Sequence, residues 1–413
     1  MSKIAILGYG VEGKSAYNYF KSLDPTNQID IYDQAEINDS DESVIAIKNF
    51  TDIDFSSYDT IVRSPSIPPT SLPIETTSNT QIFFDKCPAP IIGITGTKGK
   101  GSTASFINEI LKSAGKKTHL IGNIGVAALD ALPEIAEADF VVYELSSFQL
   151  WDIKKSPHVA VLTIIEPDHL NVHKDMDEYV GAKSNIVKYQ TESDFVVYNT
   201  LDRVVTHIAD NSKAVKLPYP DENLEKLVRP NIKLVGDHQI QNGEAAILAA
   251  KAVVPDITNE QITTGISNFE GLPHRLKLVR EVNGVKYYDD SIATTPGSAI
   301  AAIKSFDEPK ILLLGGQDKG ADYTELAKEI AKNNVKKAII YGENRHKIIE
   351  ALKQQNYGQI TEVTSQNMSD IVDSARKAAT TGDAVILSPA AASFDMFKSY
   401  ADRGEQFVSA VNL

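Results

Sequence analysis

The sequence predicts an α/β chain of three domains, over 1–89, 90–270 and 271–413. Three observations carry this. Short apolar runs alternate with amphipathic stretches throughout, as βαβ units and parallel sheets require. Two glycine-rich turns each stand between an apolar run and an amphipathic one. Two breaks interrupt the alternation: the proline-rich stretch ending in KCPAP (Lys86 to Pro90), and GLPHR (Gly271 to Arg275).

The first domain reads as a Rossmann-like unit: strand 3–7, a glycine turn, a helix near 13–23, and strands 29–33 and 59–63. The second opens on strand 90–95, a glycine loop and a helix. That helix has Phe106, Ile107, Ile110, Leu111 and Ala114 on one face at the spacing of a buried stripe. Strands follow over 139–145, 158–165 and 194–199, then helices over 238–254 and 259–267. This is a P-loop-type sheet. The third repeats the pattern with KYYDDS, KILLLGG, KKAIIYG and DAVILSP, each followed by a helical stretch. It reads as a second Rossmann-like, doubly wound sheet.

Composition narrows the function. A net charge of −14 argues against nucleic acid, which needs clustered Lys and Arg. One cysteine, Cys87, excludes an internal disulfide and any multi-cysteine metal site. No apolar run reaches the roughly eighteen residues of a membrane span. The N-terminus carries no secretory signal pattern. The expected compartment is the cytoplasm, and the expected state a monomer.

GYGVEG (Gly8, Gly10, Gly13) follows a strand, opens a helix and has Asp33 at the end of the next strand. This is the dinucleotide-binding context. Its backbone N–H groups suit any pyrophosphate, so NAD, FAD and UDP-sugars all remain open. Glycines that only permit tight packing are the plainer alternative.

GITGTKGKGST (Gly93 to Thr103) has the strand–loop–helix context of a phosphate loop but misses the Walker spacing by one residue. Lys100, directly after Gly99, is a better phosphate lysine than Lys98. Ser102 or Thr103 would offer a hydroxyl to Mg²⁺. A dehydrogenase has no use for this second loop; a ligase acting on a nucleotide-linked substrate needs both.

Glu144 ends a strand, Asp168, His169 and His173 follow the next, and Asn123 follows another. Ligands bind at that carboxyl edge of open α/β sheets. Oxygen and imidazole groups beside a phosphate loop suit Mg²⁺. Each is singly also an ordinary loop residue, His173 most of all. Lys183 reads from its own surroundings as a surface lysine.

Together GITGTKGKGST, GNIG, ELSSFQL, PDHL, AKSNIVKY, GLPHR, DDSIATT, LLLGGQDKGADY and LSPAAASFDMFKSYADRGEQF resemble the Mur ligases of peptidoglycan synthesis. ELSSFQL, GGQDKGAD and the final segment are most similar to the members that add D-glutamate. Folylpolyglutamate synthases share the style of the glycine loop, but nothing in them resembles ELSSFQL.

The resemblance implies UDP-binding, ATP-binding and amino-acid-binding domains, with ATP, two Mg²⁺ ions and an acyl-phosphate route. UDP-N-acetylmuramoyl-L-alanine and D-glutamate would be the substrates. Gly96, Thr97, Lys98, Gly99, Lys100, Gly101, Ser102 and Thr103 would hold ATP, with Asn242, Arg275 and Asp290. Gly8, Gly10, Val11, Glu12, Asp33, Ser64, Pro65 and Asn123 would hold the UDP substrate. Thr294, Lys319, Ser393, Phe394 and Tyr400 would hold D-glutamate. Ser102, Thr103, Glu144, His169 and a carbamylated Lys183 would hold metal, and Lys100, Glu144, His169 and Lys183 would carry the chemistry.

Carbamylation is demanding. A lysine of pKa about 10.4 is neutral only about once in 2,500 at pH 7, so the site must favour the amine. The chain departs from the family pattern at Ile292, where a lysine is usual, at Gln239, where asparagine is, at Asn171–Val172, and at Glu12.

Overall fold

The computed structural model describes residues 1–35, 37, 44–123 and 125–413. Ile124 of the GNIG turn lies outside them. The chain packs as two compact units, Met1–Ile232 with His238–Phe269, and Lys233–Asp237 with Glu270–Leu413.

The first unit holds two parallel sheets. β1 (Lys3–Leu7), β2 (Gln28–Asp33), β3 (Val44–Ala46) and β4 (Thr60–Arg63) run in the order β3-β2-β1-β4. Strand order reverses at β1, which makes the crevice beyond β1 and β4 the switch point where ligands bind. The Gly8 turn and Ser64–Pro65 both leave the sheet there. The expected helix begins slightly early, at Val11, and runs to Leu23.

The second sheet has β5 (Ile91–Thr95), β6 (Thr118–Gly122), β7 (Phe140–Glu144), β8 (Val159–Leu162), β9 (Phe195–Asn199) and β10 (Val215–Tyr219). Its order is β10-β9-β8-β5-β7-β6. Every residue of β5 and of β8 is buried. Helices cover both faces, and so these strands read as continuous apolar runs without alternation. Phe106, Ile107, Ile110 and Leu111 of the helix Lys100–Ser113 are fully buried, as their spacing predicts, whereas Ala114, expected on the same face, is the C-cap and only half-buried.

One apolar cluster joins the two sheets, with Ile4 and Val62 from the first and Tyr143 and Leu162 from the second. Two polar ties reinforce it. Ser15 Oγ donates to Asp130 at 2.7 Å. The fully buried Arg63 guanidinium pairs with the Asp152 carboxylate and donates to Ile67 O at 3.0 Å.

The second unit holds β11 (Lys277–Val282), β12 (Val285–Asp289), β13 (Lys310–Gly315), β14 (Val335–Tyr341), β15 (Ile360–Glu362) and β16 (Ala384–Leu387), in the order β11-β12-β16-β13-β14-β15. The doubly wound expectation holds for β12 to β16. β11 is a correction: it pairs antiparallel with β12. The two are joined through Asn283–Gly284, with φ of 53° and 74°. Positive φ at both positions is what a tight hairpin needs, and Asn-Gly supplies it. The loops after β12, β13 and β16 leave one carboxyl edge of this sheet.

Candidate active site

The loop after β5 is a cradle built without side chains. Gly96 and Gly99 have φ of 153° and 86°. A Cβ on Gly96 would stand 1.9 Å from Thr163 Oγ1, and one on Gly99 2.6 Å from Asn242 Oδ1. The helix Lys100–Ser113 begins directly behind. Its N-terminal N–H groups and dipole favour an anion.

Lys100 folds back over this loop, donating to Gly96 O and Thr97 O at 3.0 Å each. Lys98 points elsewhere, to an exposed ion pair with Glu166 at 2.7 Å. The two hydroxyls also separate. Thr103 is fully buried and donates to Asn242 Oδ1 at 3.3 Å. Ser102 is buried and makes no side-chain hydrogen bond among the described residues. Asn242 in turn donates to Gln239 at 3.0 Å. The unusual Gln239 therefore braces Asn242 against the loop.

Lys183 is not on the surface. Its side chain is 2% exposed, and this overturns the reading from its local sequence. Its Nζ donates to Gly96 O at 2.8 Å and lies 4.7 Å over the Tyr179 ring. Burial, then the neighbouring Lys100 charge, lowers its pKa to about 6 against the opposing pull of Asp168 and Glu144. The site therefore favours the neutral amine over the ammonium.

Glu144 ends β7 and is buried. His169 sits in a turn with φ of 55°, its side chain 47% exposed. Its Nε2 lies 3.5 Å from Asp168. Among the described residues no three His, Cys, Asp or Glu side chains converge on one point. Glu144, Ser102 and His169 offer oxygen and imidazole donors of the kind a largely hydrated Mg²⁺ could take up beside phosphate oxygens.

The N-terminal turn divides its glycines by purpose. A Cβ on Gly8 would meet Ser64 Cβ at 2.8 Å, and one on Gly13 would meet Gly8 O at 2.1 Å. Gly10, at an ordinary φ of −76°, would direct a Cβ into open space. The fold demands the first and third glycines but not the second. Asp33 accepts from Tyr9 N at 2.7 Å and from Ala35 N at 2.8 Å, so its carboxylate holds the turn in shape. Val11 is exposed beside it. Glu12 points inward and accepts from Gln149 at 3.3 Å; burial raises its pKa. Asn123 is exposed in the turn after β6.

In the second unit Lys319, after β13, lies 5.6 Å over the Phe394 ring, which follows β16. Ser393 is buried beside it in sequence; Phe394, Thr294 and Tyr400 are exposed. Arg275 is exposed as well. Asp290 is buried, accepting from Ser388 at 2.8 Å and from Leu276 N at 3.2 Å. Burial moves its pKa up to about 7. His274 contacts Asp289 at 2.7 Å, in a space that Gly404 leaves open.

Sequence reasoning missed several residues that build these sites. Thr163 lies 2.6 Å from Lys98 O and holds the loop. Tyr179 reaches Thr97 at 2.9 Å. Arg403, fully buried, donates to Ser291 and Ala391 and ties the last helix to the loops after β12 and β16. Nothing at these positions stands out in the sequence except Arg403, a charge in the otherwise apolar stripe of its helix.

Residues 94–229 match the model of the Mur ligase middle domain, and 274–391 that of the Mur ligase glutamate ligase domain. A UDP-N-acetylmuramoylalanine--D-glutamate ligase of Clostridium kluyveri is 35% identical, over 99% of this chain and 96% of the relative. The chain belongs to the Mur ligase family. As a Mur ligase it is an ATP-dependent, amide-forming enzyme. Solved structures agree on the fold. The UDP-N-acetylmuramate-alanine ligase of Thermotoga maritima superposes with a TM-score of 0.61 at 15% identity, over 100% of this chain and 99% of its own. The folylpolyglutamate synthase of Mycobacterium tuberculosis, complexed with ADP and AMPPCP, gives 0.58 at 14%, over 80% and 94%. Among the described residues no helix is long and apolar enough to cross a membrane.

Proposed function

We propose that this Mur ligase joins D-glutamate to UDP-N-acetylmuramoyl-L-alanine, forming ADP and phosphate. One observation carries the mechanism: Lys100 and Lys183 converge on the Gly96 carbonyl at the carboxyl edge of the second sheet. The substrate assignment rests on the name of the curated relative at 35% identity.

In this reading the L-alanine carboxylate attacks the γ-phosphorus of ATP, the bond to the bridging oxygen breaks, and ADP leaves. The D-glutamate amine then attacks the acyl carbon, phosphate departs and the amine loses a proton. Lys100 and the loop N–H groups stabilise charge on the transferring phosphoryl. Mg²⁺ would supply further charge neutralisation, with Ser102, Glu144, His169 and carbamylated Lys183 as its candidate holders, two ions in all. Thr103, already on Asn242, is the weaker candidate.

The carbamate forms when the neutral Lys183 amine attacks CO₂ and releases a proton, turning a neutral amine into an anionic oxygen donor. Asn242, Arg275 and Asp290 are assigned to ATP. Thr294, Lys319, Ser393, Phe394 and Tyr400 are assigned to D-glutamate, where the Lys319 ammonium answers a dicarboxylate. The Gly8–Gly13 turn, Asp33, Ser64, Pro65 and Asn123 are assigned to the UDP substrate. Domains of 1–89, 90–270 and 271–413 divide these tasks.

Phosphate release tests the reading. UDP-N-acetylmuramoyl-L-alanine, D-glutamate, ATP and Mg²⁺ should all be required. A faster reaction with another amino acid would reassign the substrate, and Ile292 is the position that makes this comparison worthwhile.

A further inference from the structure

We propose that His173 is a positioning residue for His169, acting through the shared ring of Phe148. The inference rests on the reading of His169 as a metal-site residue.

His169 needs external support. Its backbone is in the left-handed region, at φ 55°, which is uncommon for a residue with a Cβ. Its side chain is half exposed, so packing on all sides does not fix it. Val172 N and His173 N both donate to His169 O, at 3.0 and 2.9 Å, and close the turn. The ring itself meets Phe148 edge-on at 4.9 Å.

His173 holds the opposite side of that contact. It is 1% exposed and stacks on Phe148 at 5.3 Å with an interplanar angle of 4°. Trp151 closes over it at 4.5 Å and Tyr179 meets it edge-on at 5.3 Å. Its Nε2 lies 2.9 Å from Ser147 Oγ. Phe148 is therefore held between two imidazoles, the buried ring of His173 and the half-exposed ring of His169. The short helix Ser147–Leu150 that carries Phe148 is capped in turn by Ser146 with the reciprocal Gln149 contact. The ELSSFQL segment thus supplies Glu144 from its strand end and the wall that aims His169 from its helix.

Partners that orient a metal-binding histidine typically change metal affinity about 10- to 100-fold. Mn²⁺ binding, titrated by electron paramagnetic resonance with saturating ADP in bicarbonate buffer, reads this without turnover. His173→Ala is expected to weaken Mn²⁺ about tenfold. His173→Phe keeps the stack and should stay within about twofold of the parent. Phe148→Leu removes the shared ring and should match His173→Ala, which keeps the test open if that variant misfolds. In a His169→Ala background, His173→Ala should add nothing, since the two act as one unit. Loss with His169→Ala but not with His173→Ala or Phe148→Leu overturns the inference and leaves the metal reading standing. An unchanged affinity in His169→Ala overturns the metal reading and the inference with it.

Discussion

Lys183 and Lys100 donate to the same carbonyl oxygen, that of Gly96, at 2.8 and 3.0 Å. Two ammonium groups on one acceptor repel each other, and the buried one yields. Burial first, and Lys100 second, bring Lys183 to a pKa of about 6. The glycine loop and Lys183 are therefore one electrostatic unit.

The sign of the pH effect follows. Between about 6 and the free-lysine value of about 10.4, the unfolded chain binds more protons at Lys183 than the native one. Stability should rise with pH across that window and be penalised most below it. Lys183→Met should remove this slope. In bicarbonate-free buffer its melting temperature should exceed the parent's at pH 6, with the gap closing towards pH 9. The ceiling is about 1.4 kcal/mol per pH unit, before relaxation and water entry reduce it. Calorimetry across pH checks it. A ¹³C-bicarbonate adduct seen by NMR in the parent should vanish in Lys183→Ala.

Lys100→Ala should lower kcat by about 10²–10³-fold, since stabilising charge on the transferring phosphoryl is usually the largest catalytic contribution. Lys98→Ala loses an exposed pair with Glu166, whose partners are 68% and 44% exposed. Such pairs contribute about 0–1 kcal/mol. Steady-state kinetics of the two variants decides which lysine serves the phosphates.

Gly10→Ala should fold with near-parental stability, because its Cβ meets nothing within 4 Å. It should weaken UDP-substrate binding by about tenfold or more, by blocking backbone approach to the pyrophosphate. Gly13→Ala should instead lower the melting temperature, its Cβ falling 2.1 Å from Gly8 O. Calorimetric titration with UDP-N-acetylmuramoyl-L-alanine, beside thermal melts, separates the two.

Lys319→Ala should raise the KM for D-glutamate about tenfold or more and leave the KM for ATP within about twofold. The charge it removes lies over Phe394. A variant that changed both constants alike would contradict a dedicated amino-acid role.

What the sequence disclosed followed from chain-local physics. Gly8 and Gly13 announce a turn because their backbone contacts are set within a few residues. Phe106 and Ile110 announce a buried face by spacing alone. Lys183 could not be read this way: a lone lysine on the helix Met176–Lys188 says nothing of which neighbour covers it, and Gly96 lies 87 residues away. Thr103 and Ser102 are adjacent and chemically alike, and only Asn242, on a distant helix, distinguishes them. The Asn283–Gly284 dipeptide is a local hairpin signal, but the parallel strand–helix pattern on either side of it outweighs so short a cue.

The decisive measurement is phosphate release with UDP-N-acetylmuramoyl-L-alanine, ATP and Mg²⁺ across a panel of D- and L-amino acids. A D-glutamate ligase should turn over D-glutamate at least about tenfold faster than every other amino acid, and nothing without the UDP substrate. Equal or faster turnover with L-glutamate or another amino acid, or no turnover while both nucleotides still bind, would contradict that assignment.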